Sequence, residues 1–207
     1  MSKAVVLVLD DDAAIRASLA SLLEAEDYLV HAFDNAAALL GFALPPGPAC
    51  LILDMQMPQL CGLDVMGKLA DAGIDIPVVF LTGFASIPLT VQAMKAGANE
   101  FLTKPVQPER LLEAVGAALA SDSARLDQRQ ALAELRARHA SLTPREQETM
   151  ALVIGGLLNK QVADALGVSE IMAKMHKKKV MEKMRARSLP DLVRGAERLN
   201  IASARSR

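Results

Sequence analysis

Leu51-Ile52-Leu53-Asp54-Met55-Gln56-Met57-Pro58 is the stretch from which the fold of this chain reads. Three apolar residues in a row predict a buried strand, and a carboxylate follows at its end. Pro58 forbids the strand from continuing, so Asp54 is presented just beyond it. The same arrangement recurs through the first half of the chain. Val5-Val6-Leu7-Val8-Leu9 runs into Asp10-Asp11-Asp12, Val78-Val79-Phe80-Leu81 into Thr82-Gly83, and Asn99 to Thr103 into Lys104-Pro105. In open α/β sheets, ligands bind outside the carboxyl ends of the strands. Parallel pairing would therefore gather two acids, a hydroxyl and a lysine into one pocket.

Helices fill the intervals. Asp12 or Asp11 can cap a helix from Ala13 to Glu26, with Ile15, Leu19, Leu22 and Leu23 on one face. Tyr28 to Phe33 alternates enough for a more exposed strand. Asp34 or Asn35 then caps a helix ending near Gly41. Gly62 to Ala72 predicts a helix stopped by Gly73, and Ser86 to Ala96 one with Pro88 in its first turn and Gly97 after its end. Five β/α units in about 120 residues argue for a parallel sheet covered on both faces. The expected class is thus α/β: a five-stranded, doubly wound sheet.

The second half has another character. Residues 1–120 hold 6 Lys/Arg against 14 Asp/Glu, a net of −8, whereas residues 121–140 carry +1 and residues 141–207 carry +6. The near-neutral total of −1 hides an acidic half and a basic half, and a basic half suggests a nucleic-acid partner. From Pro108 to Pro144 the only breaker is Gly116. Leu112, Leu119, Leu126, Ala133 and Ala140 recur every seven residues, but two alanines in five make a weak zipper. The expectation is a solvated linker helix over 121–140. Thr143, Pro144 and Glu146 then form a capping box with proline at N1. Asn159 is expected to cap a second short helix ended by Gly167, Ser169 a third running to about Met184, and Ser188 a fourth. Two short helices around a glycine-containing turn, followed by a lysine-rich helix, read as helix-turn-helix. The division is 1–120, 121–140 and 141–207.

Chemistry follows from the acids. Asp10, Asp11 and Asp54 in one partly desolvated cleft repel one another, and a divalent cation relieves this. Clustered carboxylate oxygens suit Mg2+. One free oxygen of Asp54 is then available as a nucleophile toward a phosphoryl donor. Lys104 can pair with the incoming group and Thr82 can donate a hydrogen bond to it. Each residue alone is more simply a helix cap or a surface ion pair; the set together is not. Cys50 and Cys61 have no partner histidine nearby and read as small packed residues rather than a metal or redox pair.

On Leu9-Asp10-Asp11-Asp12, Leu53-Asp54-Met55-Gln56-Met57-Pro58, Gly62, Leu81-Thr82-Gly83 and Lys104-Pro105, residues 1–120 resemble the receiver domain of two-component response regulators. Residues 141–200 resemble the LuxR-type helix-turn-helix. Together they resemble the FixJ-like branch of the NarL/FixJ family. The resemblance implies a flavodoxin-like sheet of order 2-1-3-4-5 and phosphorylation of Asp54 by a histidine kinase. It implies Mg2+ on Asp11, Asp54 and the backbone carbonyl of Gln56, with Asp10 on the ion or beside it. Thr82 and Phe101 would form a switch pair, Thr82 drawn inward and the Phe101 ring filling the space vacated. The surface around Ser86 to Lys104 would then favour a homodimer. Lys104-Pro105 often carries a cis peptide in this family. Two departures stand out. The loop Gly83-Phe84-Ala85-Ser86 is bulkier than the family's Ala-rich version, and Met172 replaces a hydroxyl that commonly contacts backbone phosphate.

For the DNA-facing helix, Lys174 and Lys178 at i and i+4 share a face with Ile171. Lysine can donate to guanine O6 and N7 in the major groove. By resemblance Lys174, Met175 and Lys178 face bases, while Lys160, Lys177 and Lys179 contact phosphates, which position without specifying. His176 reads as packed or phosphate-contacting. A haloacid-dehalogenase-type phosphatase using Asp10 and Asp12 wants Thr or Val two residues after the second acid, where this chain has Ala14, and leaves the basic half unexplained. Intact Asp54, Thr82 and Lys104 speak against a receiver that no longer takes phosphate. The resulting expectation is a regulator of transcription rather than a turnover enzyme. Its partners are a histidine kinase, double-stranded promoter DNA, a second copy on activation and RNA polymerase. With no secretory signal and no uncharged run free of breakers, it is expected to be cytoplasmic and not membrane-bound.

Overall fold

The computed structural model describes residues 3–204 apart from 59, 84 and 85. It divides into two compact units, Met1–Asp127 and Gln128–Arg207.

The first unit runs β1 (Val5–Leu9), α1 (Ala13–Ala25), β2 (Leu29–Phe33), α2 (Ala36–Leu40), β3 (Ala49–Asp54), the short pair β4 (Gln56–Met57) and β5 (Leu60–Cys61), α3 (Gly62–Asp71), β6 (Val78–Thr82), α4 (Ile87–Lys95) and β7 (Glu100–Thr103), before α5 (Pro108–Ala140). The main sheet has order β2-β1-β3-β6-β7 and every pairing in it is parallel. That is the expected 2-1-3-4-5 order, with the added hairpin β4-β5 lying outside it. β1, β3 and β6 are buried along their whole length, because both faces of the sheet are covered. Alternation divides their side chains. Leu7, Leu9, Leu51, Leu53 and Phe80 join Leu39, Val65, Leu69 and Ala93 from α2, α3 and α4. Val6, Val8, Ile52, Val79 and Leu81 join Leu19, Leu23, Leu111, Val115 and Ala118 from α1 and α5. β2 is the half-exposed edge, as its mixed sequence predicts.

Leu112 and Leu119 of the seven-residue series belong to this core, so the series is not a free seam. Asp122 is buried too. Its carboxylate accepts from the amide of Ala49 at 2.8 Å and pairs with Arg125, which also reaches the carbonyl and carboxylate of Asp75. Burial and the charge of Asp122 push the neighbouring Cys50 thiol up to about 12.

In the second unit α6 (Pro144–Ile154), α7 (Asn159–Leu166), α8 (Glu170–Lys183) and α9 (Leu189–Arg198) enclose a core of Met150, Val153, Val162, Leu166, Val180 and Leu192, joined by Leu135. Thr143 forms the expected capping box: Glu146 N donates to its hydroxyl, and its own amide donates to Glu146 at 2.8 Å. Lys183 donates to the same buried carboxylate at 2.6 Å. The hydrogen bond from Lys183 and the one from the Thr143 backbone hold the Glu146 pKa down at about 2. Asn159 is not the cap of α7. Leu158 occupies that position, and its amide donates to the Gln161 side chain at 2.8 Å, so the acceptor comes from inside the helix. Gly167, at φ 65°, makes the left-handed turn between α7 and α8 that a side chain would strain. Ser169 and Ser188 cap α8 and α9 as expected. Among the described residues no helix is long and apolar enough to cross a membrane.

Candidate functional sites: an acidic pocket and a lysine-bearing helix

Sheet register brings the sequence-predicted acids and base together. Leu9 lies opposite Leu53, Asp54 opposite Leu81, and Thr82 opposite Thr103. The residues after β1 and β7, Asp10 and Lys104, therefore come level with the end of β3. One carboxylate oxygen from each of Asp10, Asp11 and Asp54 lies within 4.8 Å of the others. Asp10 and Asp54 are buried, whereas Asp11 is exposed. A hard-oxygen donor set of this size fits Mg2+.

The Lys104 ammonium lies 2.6 Å from Asp10 Oδ2 and 3.1 Å from Asp54 Oδ2. Its burial pulls the lysine pKa down, but hydrogen bonds and charge from the two carboxylates outweigh this and hold it above the ordinary value. The remaining acceptors are oriented by local turns. Asp10 Oδ1 accepts from the amide of Asp12 at 2.9 Å, and Asp54 Oδ1 from that of Gln56 at 3.1 Å. Asp12 Oδ1 caps α1 through Ala14 N and Ile15 N, which leaves Asp11 to the pocket. Arg16 was not singled out by the sequence, yet it donates to the carbonyl of Asp10 at 2.7 Å and fixes the β1–α1 turn. Its only signal was an arginine in the first turn of the helix after the acids.

Gly62 closes the back of the site. A Cβ there would stand 2.7 Å from Phe80 Cε1 and 2.8 Å from the carbonyl oxygen of Asp54. Only glycine lets α3 start this close behind the carboxylate-bearing strand. Thr82 is fully buried at the end of β6, and its carbonyl accepts from the amide of Lys104 at 2.7 Å. The half-buried Phe101 ring lies 6.3 Å from that of Phe80. The Lys104–Pro105 peptide is cis. Of the bulkier loop after Thr82, Phe84 and Ala85 lie outside the described residues. A cavity of about 490 Å³ adjoins the pocket at Asp11 and is lined further by Asp34, Met57, Leu60 and Lys68.

The lysine-bearing helix is built differently. Ala173, Val180 and Met184 bury one side of α8 and its end. At about 100° per residue, Ile171, Met175 and Lys178 project from the opposite side, with Lys174 on its flank. Lys174, Lys178 and Lys179 are exposed, as is Lys160 on α7, while Lys177 and His176 are half-buried. Lys178 lies 3.8 Å from Glu182, an exposed pair of little energetic weight.

Comparison with known proteins agrees with both halves. A model described as the response regulator receiver domain matches residues 6–116, and one described as bacterial regulatory proteins of the luxR family matches residues 140–196. These define the class: a response regulator that couples a receiver to a LuxR-type DNA-binding domain. The chain is 45% identical to nodulation protein W of Bradyrhizobium diazoefficiens over 98% of its length and 89% of that protein. It is 38% identical to the transcriptional regulatory protein FixJ of Azorhizobium caulinodans, over 96% of this chain and 94% of that one. Among solved structures, the response regulator StyR matches with a TM-score of 0.85 at 40% identity, over 95% of this chain and 99% of that one. Full-length FixJ from B. japonicum matches with a TM-score of 0.57 at 34% identity, over 98% of this chain and all of that one. The chain belongs to the NarL/FixJ family of response regulators, which are regulators of transcription and not turnover enzymes.

Proposed function

We propose that Asp54 accepts a phosphoryl group from the phosphohistidine of a histidine kinase, and that the modified protein dimerises and binds specific promoter DNA. The observation carrying this reading is the meeting of Asp10, Asp11 and Asp54 with Lys104 at the ends of parallel strands. Mg2+ would be held by Asp10, Asp11 and Asp54 and by the carbonyl of Gln56, and would neutralise charge as the phosphoryl group transfers. An oxygen of Asp54 forms the new O–P bond as the P–N bond of the donor breaks, and the departing nitrogen keeps that electron pair. The Lys104 ammonium leaves its place between two carboxylates to pair with a phosphoryl oxygen. The Thr82 hydroxyl donates to another oxygen.

Thr82 and Phe101 act as the switch, since the carbonyl of Thr82 is tied to Lys104 and Phe101 packs beside Phe80. Functionally the chain divides into a receiver (1–120), a linker (121–140) and a DNA-binding domain (141–207), working in the cytoplasm with RNA polymerase as a further partner. On DNA, Lys174, Met175 and Lys178 face bases, and Lys160, Lys177 and Lys179 hold phosphates. The test is a small-molecule phosphodonor with Mg2+, read on a phosphate-affinity gel and by binding to selected duplexes. Wild type should shift and bind more tightly; a shift that survives Asp54→Ala overturns the assignment.

A further inference from the structure

The exposed side of α8 carries apolar as well as cationic groups. Ile171 is 82% exposed, Met175 40% and Met172 39%, on a helix whose opposite side is fully packed. A single exposed apolar side chain needs no explanation. Here Ile171 and Met175 stand one turn apart on the face that also bears Lys178, with Lys174 beside them. We propose that Ile171 and Met175 read the 5-methyl groups of thymine in the major groove, making them determinants of which DNA sequence is bound. This rests on the DNA-binding reading above and deepens it.

Three observations favour duplex DNA as the occupant of this face. The apolar pair is flanked by the exposed ammonium groups of Lys174, Lys178 and Lys179, which complement phosphate and would be left facing an uncharged partner surface. The pair lies at the start of the second helix of a helix-turn-helix, the part whose residues reach base edges. The thymine methyl is the apolar group that base edges offer in the major groove. A turn of helix rises about 5.4 Å, and successive base pairs are about 3.4 Å apart. Ile171 and Met175 therefore reach thymines one or two steps from each other. Neither side chain donates a hydrogen bond, so their contribution discriminates by methyl contact alone.

Deoxyuridine isolates that contact, because it keeps the hydrogen-bonding edges of thymine and lacks only the methyl. Duplexes are selected from a random pool with the full-length protein in the presence of small phosphodonor and Mg2+, and each thymine is then replaced singly by deoxyuridine. At one or two positions per half-site, wild type should lose about four-fold in affinity per methyl. Ile171→Ala should bind thymine and deoxyuridine duplexes equally at one of those positions and keep the wild-type response at the other; Met175→Ala should do the reverse. Since Ile171 is exposed, its alanine variant should keep the wild-type unfolding midpoint. Indifference of wild type to every deoxyuridine, or equal loss by Ile171→Ala on all duplexes, overturns the proposal while leaving DNA binding intact. So does an altered oligomeric state of Ile171→Ala with methyl sensitivity unchanged, which would assign the face to a second copy. Failure to select any duplex overturns the DNA-binding reading itself.

Discussion

The pocket and the recognition face are assembled by opposite routes. Asp10, Asp54, Thr82 and Lys104 are separated by up to 94 residues and meet because three parallel pairings hold their strands in one register. Ile171, Lys174, Met175 and Lys178 fall within eight residues of one helix and need only its periodicity. The pocket is mostly buried, its acceptors oriented by backbone amides and by Lys104; the helix face is mostly exposed and its charges are solvated. A buried, topologically built site is sensitive to anything that moves a strand. A surface built on one helix can change residue by residue while the fold stays as it is. In this chain the departure from the family pattern at Met172 falls on that tolerant surface.

The sharpest way to break the contrast is at its reactive centre. Asp54→Ala should abolish covalent phosphate completely, measured by intact mass after treatment with phosphodonor and Mg2+. The fold should survive, because the neighbouring Asp10 keeps its ion pair with Lys104.

Next in size is the buried polar clasp. Asp122→Ala strips the Ala49 amide of its partner and leaves Arg125 with Asp75 alone, at a cost of about 2 kcal/mol. Urea unfolding followed by a probe in the sheet checks it; a loss below about 0.5 kcal/mol would show that Asp122 is incidental. Gly62→Ala should cost a similar or smaller amount, about 1–2 kcal/mol, by forcing α3 away from Phe80 and the Asp54 carbonyl. Unlike Asp122→Ala it should also slow phosphorylation.

The second unit offers a gentler comparison through pH. Glu146 has its pKa lowered to about 2 in the folded chain from an ordinary 4.5. The stability it contributes is complete above pH 4.5 and is lost as pH falls through the window down to about 2. Wild type should therefore lose more stability across that window than Glu146→Gln, as measured by helical signal against urea at several pH values. A like slope for both would remove the ion pair with Lys183 from the account. The smallest effect belongs to the recognition face: Lys179→Ala should lower the log–log salt slope of DNA binding by about 0.9 without altering sequence preference.

Some readings depended only on neighbours in the chain, and these were legible. The capping box of Thr143 and Glu146 is local and forms as read. The unbroken apolar runs of β1, β3 and β6, alternating with helices, pointed to a sheet covered on both faces, and the strand order followed with the family resemblance. Where two local partners competed, sequence left the matter open. Asp12, not Asp11, caps α1, and Asn35, not Asp34, caps α2. Asparagine's preference for caps pointed to Asn159, but Gln161 reaches back to the Leu158 amide and shifts the cap by one residue. Asp122 was invisible, since an acid in a charged helix reads as solvated unless something across the fold needs it.

By itself the sequence determined which residues have the chemistry: a carboxylate at the end of each of two strands, a hydroxyl and an ammonium at the ends of two more, and lysines interleaved with apolar groups on one helix. These follow from residue type and from periods of 2 and 3.6, which are properties of the chain alone. Only the tertiary structure decided that Lys104 lies 2.6 Å from Asp10 and 3.1 Å from Asp54, that Gly62 must lack a side chain, and that Asp122 is buried against Ala49. Distances between residues far apart in sequence are set by strand register and packing, and neither is written in any local stretch.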